Sequence, residues 1–134
     1  EIGLSEVAMH EQVGLLAYSP LAQGTLTGKY LGGQMPQGSR LALFGDGPLM
    51  MRYKGDKTQQ AIEMYVNLAK KYEIDPAQLA IQFCNIQPFV TSTIIGATTM
   101  EQLKTCIDSV DLDITKEIMN EIRGIHKEIP NPAP

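Results

Sequence analysis

The chain has 134 residues, 43% of them hydrophobic and 19% charged, a balance that suits one globular unit and not a disordered segment. Its net charge of -4 argues against the basic face of a nucleic-acid binder and against attraction to anionic lipid. No apolar run approaches the roughly 20 residues needed to cross a bilayer.

No leader pattern is read at the start, so a cytoplasmic location is the expectation. Cys84 and Cys106 lack paired ligand spacing and read as reduced thiols. The chain opens on Glu1 rather than Met, which suggests that sequence precedes it.

Residues 1–11 read as the end of a helix, with Ile2, Val7 and Met9 as its apolar contacts. Residues 13–18 form a short, nearly all-apolar run, as expected of a strand covered on both faces in a parallel sheet. Residues 21–55 are rich in glycine and proline. A short helix is expected near residues 22–30 and mostly loop beyond it. Residues 57–72 carry the stripe Ala61, Ile62, Tyr65, Leu68, Ala69 and Tyr72, the spacing of an amphipathic helix.

Asp75, Pro76 and Gln78 then open a second helix, with Asp75 as cap, Pro76 in the first turn and Gln78 completing a capping box. Leu79, Ala80, Phe83 and Ile86 are its expected buried face. Residues 90–95 read as a second doubly covered strand ending at Gly96. Thr98 or Thr99 caps a helix to about Asp108, and a last helix spans residues 116–126 on the stripe Ile118, Ile122 and Ile125. The proline-rich end cannot extend it.

Strands alternating with helices imply parallel β/α units. Two strands make neither a barrel nor a doubly wound sheet, so the unit is expected to be incomplete unless it assembles with other chains.

Two constellations carry chemistry. The first runs from Ala17 to Tyr30, past the end of a strand, where β/α folds bind ligands. Ser19 offers a hydroxyl, Ala22 and Gly24 let backbone amides approach a phosphate, and Lys29 adds positive charge. An ordinary strand-to-loop turn is the competing reading. A nucleotide-hydrolase phosphate loop is excluded: three residues separate Gly24 from Gly28 where four are needed, and Tyr30 follows Lys29 where Ser or Thr should. The second constellation is residues 94–103, where a strand ends at Gly96 and a helix opens. Its first turn favours phosphate, and Thr98, Thr99, Glu101 and Gln102 equally suit a plain cap.

His10 and His126 have no ligand-spaced partner, and the acidic residues Asp108, Asp111 and Asp113 lack the glycine turn and terminal Glu of a calcium loop.

The stretches AYSPLAQGTLTGKY (17–30), DPAQLAIQF (75–83) and STIIGATTMEQLKTCI (92–107), in this order, resemble the aldo-keto reductases, in particular the bacterial Tas-type reductases and potassium-channel beta-subunit relatives. The resemblance runs nearly end to end. It implies an α/β fold that is the C-terminal segment of a (β/α)8 TIM barrel: about two β/α units plus a C-terminal helix, with residues 1–134 as a single incomplete unit and residues 31–56 as a long cofactor-covering loop.

It implies NADP(H) as cofactor. Ser19, Pro20, Leu21, Ala22 and Gln23 would line the pyrophosphate side. Lys29 and Arg40 would lie in the covering loop, and Gly96, Thr98 and Gln102 would face the adenosine end. Thr105 and Cys106 stand where the family often has Glu and Asn.

The implied parent reaction is NADPH-dependent reduction of aldehydes or ketones to alcohols. The family's catalytic Tyr, Lys, Asp and His come from strands that precede Glu1. The chain alone is therefore expected to be non-catalytic, with either the missing N-terminal barrel part or further copies of itself covering its strand edges. A standalone nucleotide-binding or self-assembling module is the alternative.

Overall fold

The computed structural model describes residues 3–45 and 47–133, with the side chain of Leu49 also outside the description. Ile2, an expected apolar contact of the first helix, and the last residue of the proline-rich end lie outside the described residues.

The first helix, α1 (Leu4–His10), starts after Gly3 and buries Ala8. Val7 and Met9, the expected apolar contacts, are instead exposed. Strand β1 spans Leu15–Tyr18 and pairs in parallel with β2, Val90–Ile94. The register sets Leu15 opposite Val90, Leu16 opposite Ser92, Ala17 opposite Thr93 and Tyr18 opposite Ile94, with an irregularity after Leu15. Gly14 permits this entry: a Cβ there would sit 2.9 Å from Thr91 Oγ1, the atom that accepts from Leu15 N at 3.2 Å.

The two-stranded sheet is not covered on both faces. Leu16 is 60% exposed, Tyr18 78% and Ile94 50%. The helices of this chain cover only part of the sheet, so side chains suited to a parallel sheet's interior meet solvent.

Between the strands, residues 22–27 and 31–33 form irregular 3-10 segments in place of the expected short helix. The expected long loop is partly helical. Ser39 caps α2 (Arg40–Phe44), its side chain accepting from Ala42 N at 3.3 Å, and Pro48 opens α3 (Pro48–Met51) after Gly47. Both helices are short and glycine-flanked, so neither shows a helical period in the sequence.

Helix α4 (Asp56–Lys71) buries Thr58, Ala61, Ile62, Val66, Leu68 and Ala69, while Tyr65 and Tyr72 are half-buried at its margin. Helix α5 (Pro76–Asn85) opens as expected at Asp75, whose carboxylate accepts from Ala77 N at 2.7 Å and Gln78 N at 3.2 Å. Gln78 does not close a capping box; its Nε2 donates to Thr105 O at 3.4 Å. The buried face of α5 is Ala77, Leu79, Ile81 and Gln82, and Ile86 is exposed. Gln82 is accommodated because its Nε2 donates to Leu112 O at 3.0 Å and its Oε1 accepts from Asn85.

After β2 come α6 (Met100–Asp108), a 3-10 turn over Ser109–Asp111, and α7 (Lys116–Glu128), capped by Thr115. Ile118, Ile122 and Ile125 of α7 pack with Leu68, Ala69 and Leu79, so the core lies among α4, α5 and α7. No helix among the described residues is long and apolar enough to cross a membrane.

Candidate functional site at the strand ends

Parallel pairing with Tyr18 opposite Ile94 sends both strands out of the sheet at the same edge. The turn that begins at Ser19 and the turn that begins at Ile95 therefore leave the sheet as neighbours.

The first turn is held in unusual backbone conformations. Ser19 (φ 55), Ala22 (φ 47) and Gln23 (φ 61) all lie in the left-handed region, as does Gly24 (φ 89). Each non-glycine residue there costs roughly 1 kcal/mol, and such cost concentrates where backbone groups are aimed for a purpose. The turn is fixed by Ala22 N donating to Ser19 O at 2.9 Å and Gly24 N donating to Leu21 O at 2.8 Å. The hydroxyls of Thr25 and Thr27 donate to Ala22 O and Gly24 O.

Lys29 folds back over this turn. A Cβ on Gly24 would lie 3.0 Å from both Lys29 Cε and Nζ. The ammonium also sits 5.2 Å from the centre of the Tyr30 ring. Gly28 packs against α4, where a Cβ would meet Val66 Cγ1 at 3.1 Å. Lys29 is thus a cation packed against the Ser19 turn.

Arg40 is the exposed first residue of α2. Its neighbour is tied in, since Leu41 N donates to Tyr30 Oη at 3.4 Å. Among the described residues, Arg40 makes no hydrogen bond or ion pair with either turn.

In the second turn, Thr99 caps α6 and its hydroxyl accepts from Gln102 N at 3.2 Å. Gln102 Oε1 accepts from both Thr98 N at 3.0 Å and Thr98 Oγ1 at 3.1 Å. The side chains that could bind a ligand thus also lock the turn, and capping and binding share one geometry. The first intrahelical bond runs from Leu103 N to Thr99 O, so the amides of Met100 and Glu101 precede it at the positive end of the helix. Gly96 has open space where a side chain would be.

Ser19, Pro20, Leu21, Ala22, Gln23 and Lys29 are therefore gathered in one turn, and Gly96, Thr98 and Gln102 in the adjoining one. Sequence reasoning missed the left-handed backbone at Ala22 and Gln23, residue types that do not advertise it. It also missed that Cys106 faces the interior, 6% exposed, beside Ser109, whose hydroxyl donates to Cys106 O at 2.6 Å. Burial, and then the Asp75 carboxylate, push the Cys106 thiol above its ordinary value.

A groove of about 870 Å³ lies elsewhere, between α4 and α7, and contains none of the expected site residues. Glu117, Glu121 and Glu128 line it, and their charge opposes a phosphate. The strand ends, with Lys29 and the opening of α6, carry the chemistry suited to an anion. Among the described residues, no cluster of His, Cys, Asp and Glu could hold a metal ion.

Residues 1–127 match the aldo/keto reductase family. The chain belongs to that family. It is 49% identical over its whole length to Protein tas of Escherichia coli. It is 37% identical over 132 residues to an aldo-keto reductase of Babesia bovis, and 35% identical over 120 residues to a probable voltage-gated potassium channel subunit beta of rice. These alignments cover 100%, 94% and 88% of the chain but only 38%, 46% and 37% of the relatives. The chain thus spans less than half the length of these relatives.

Proposed function

We propose that the chain is the C-terminal NADP(H)-binding portion of an aldo-keto reductase whose parent reaction reduces aldehydes or ketones to alcohols. One observation carries this reading. The parallel register brings the Ser19 turn and the Gly96–Gln102 turn to one edge, where two sets of backbone amides and Lys29 can meet a dinucleotide's phosphates together.

The residues present fit such a group. The Ser19 turn holds its backbone in left-handed geometry, with the amides of Ala22 and Gly24 engaged inside it and those of Leu21 and Gln23 as the candidate donors, and Gly24 keeps the space that Lys29 occupies. The opening of α6 offers further amides, and Gly96 leaves room beside them. Within this reading residues 31–56 fold over the cofactor, with Arg40 as a second cation. NADPH, when bound, supplies the hydride. This chain's residues bind and orient it, and the acid that protonates the carbonyl oxygen belongs to the earlier part of a barrel. The exposed faces of β1 and β2 favour completion by that part over a separate nucleotide-binding module.

Two measurements on the purified chain test this. Fluorescence titration should show saturable NADPH binding, weakened by Lys29→Gln. Incubation with NADPH and a reactive aldehyde should leave the cofactor absorbance steady. Absence of binding would remove the cofactor role, and sustained turnover would refute the non-catalytic one.

A further inference from the structure

We propose that residues 129–133 are a strap that anchors the downstream hinge of the 31–56 segment, with Arg52 and Thr58 as the positioning residues that receive it.

In the upstream part of that segment, residues 32–38 are all exposed. Its upstream end is fixed by Gly28 against Val66 and by Leu41 N donating to Tyr30 Oη. Its downstream end, where α3 gives way to α4, is held by buried Met50 and by contacts with residues 132 and 133. Thr58, 3% exposed in the first turn of α4, donates its hydroxyl to Pro132 O. Arg52 Nη2 donates to Ala133 O at 3.1 Å, while its guanidinium lies 5.9 Å from the Tyr53 ring centre. Gln59 Nε2 donates to Tyr53 O at 2.6 Å, joining the two sides of the hinge.

The composition of the tail suits this task. Ile129 is buried, which seats the base of the strap. Pro130 and Pro132 restrict the backbone, so little freedom is lost on docking. Proline also lacks an N–H, which makes the tail chiefly a source of carbonyl acceptors. The hinge supplies the matching donors, a hydroxyl and a guanidinium. The pairs lie 74 and 81 residues apart in sequence, so the contact couples the last residues to the hinge rather than closing a local turn.

The consequence for cofactor hold rests on the function proposed above; the anchoring itself does not. Hydrogen–deuterium exchange of the 134-residue chain separates the two. Truncation after Ile129, and independently Thr58→Val, should speed exchange of the amides of Leu43, Met50 and Tyr53 by about fivefold or more, the scale of one lost hydrogen bond. Amides in the centres of α5 and α7 should be unchanged. Unaltered exchange across residues 43–53 in both variants would overturn the strap. So would uniform acceleration throughout the chain in Thr58→Val, which would make the contact ordinary core packing. Where the parent chain binds NADPH, both variants should raise its Kd. A parent chain that fails to bind NADPH counts against the cofactor reading and leaves the exchange result to decide the strap.

Discussion

Tyr18 lies opposite Ile94 at the last position of the parallel ladder. That pairing makes the residues that follow each strand spatial neighbours although more than seventy positions separate them in sequence. The proposal that both turns bind the cofactor depends on it.

Lys29 is held against Gly24, and the substitution Gly24→Ala probes that contact. The new Cβ would lie 3.0 Å from the flexible end of Lys29, which can move aside, but φ +89 is strained for alanine. Stability should fall by roughly 1 kcal/mol, read from urea midpoints. NADPH affinity should fall further than that strain alone explains, because Lys29 is displaced. Affinity equal to that of the parent chain would show that Lys29 does not face the phosphates.

Ile122 tests the location of the core. It is 6% exposed and packs with Leu68, Ala69 and Leu79. Ile122→Ala should cost about 2–5 kcal/mol in denaturant unfolding. A cost below 1 kcal/mol would mean that α7 is not docked on α4 and α5.

Asp75 serves as cap and as a negative charge near Cys106. Asp75→Ala should cost about 1 kcal/mol through the lost cap, whereas Asp75→Asn should keep most of it. Both should lower the Cys106 thiol pKa slightly, because the carboxylate helps raise it while burial dominates. Alkylation rates against pH, resolved by peptide mass, report this. In the folded parent chain Cys106 should react far more slowly than after denaturation.

The junction of Lys71, Tyr72 and Glu121 sets a pH dependence. Lys71 Nζ donates to Glu121 Oε1 at 2.7 Å, and Tyr72 Oη donates to the same oxygen. The Lys71 hydrogen bond first, and then that of Tyr72, hold the Glu121 carboxyl below its ordinary value. The unfolded chain therefore takes up this proton first as pH falls. The contribution of Glu121 is present above the ordinary glutamate range and is lost as pH drops through the lowered folded value.

Lys71 is raised, chiefly by the same hydrogen bond, so its share is present below the ordinary lysine range and is lost as pH rises through the raised value. Glu121→Gln should flatten the acid limb of stability against pH while changing neutral stability only modestly, since Lys71 is exposed and Glu121 only partly buried. An unchanged acid limb would mean that the contact does not persist in solution.

Much of this was legible in the sequence, for identifiable reasons. The stripe Ile118, Ile122, Ile125 and the Asp75 cap were readable because each follows one local rule of spacing or residue type. The ends of both strands were readable from Tyr18-Ser19-Pro20 and Ile95-Gly96. Short α2 and α3 were not, because four or five residues carry no helical period. The inward turn of Val66, Ile81 and Cys106 depends on which neighbours cover each helix, a tertiary property. Gln78 suits a capping box locally, yet it is drawn to Thr105 O across the fold. The tail's contacts with Arg52 and Thr58 leave no sequence signal, since they use backbone carbonyls of residues that look like a simple helix stop.

Backbone amide NMR of the isotopically labelled chain, titrated with NADPH, tests the proposed joint phosphate cradle most directly. Amides of Ser19 and residues 21–24 should shift together with those of residues 96–102 along one binding curve. Movement in only one of these turns, or confined to residues lining the α4–α7 groove such as Asn67 and Asn120, would contradict it.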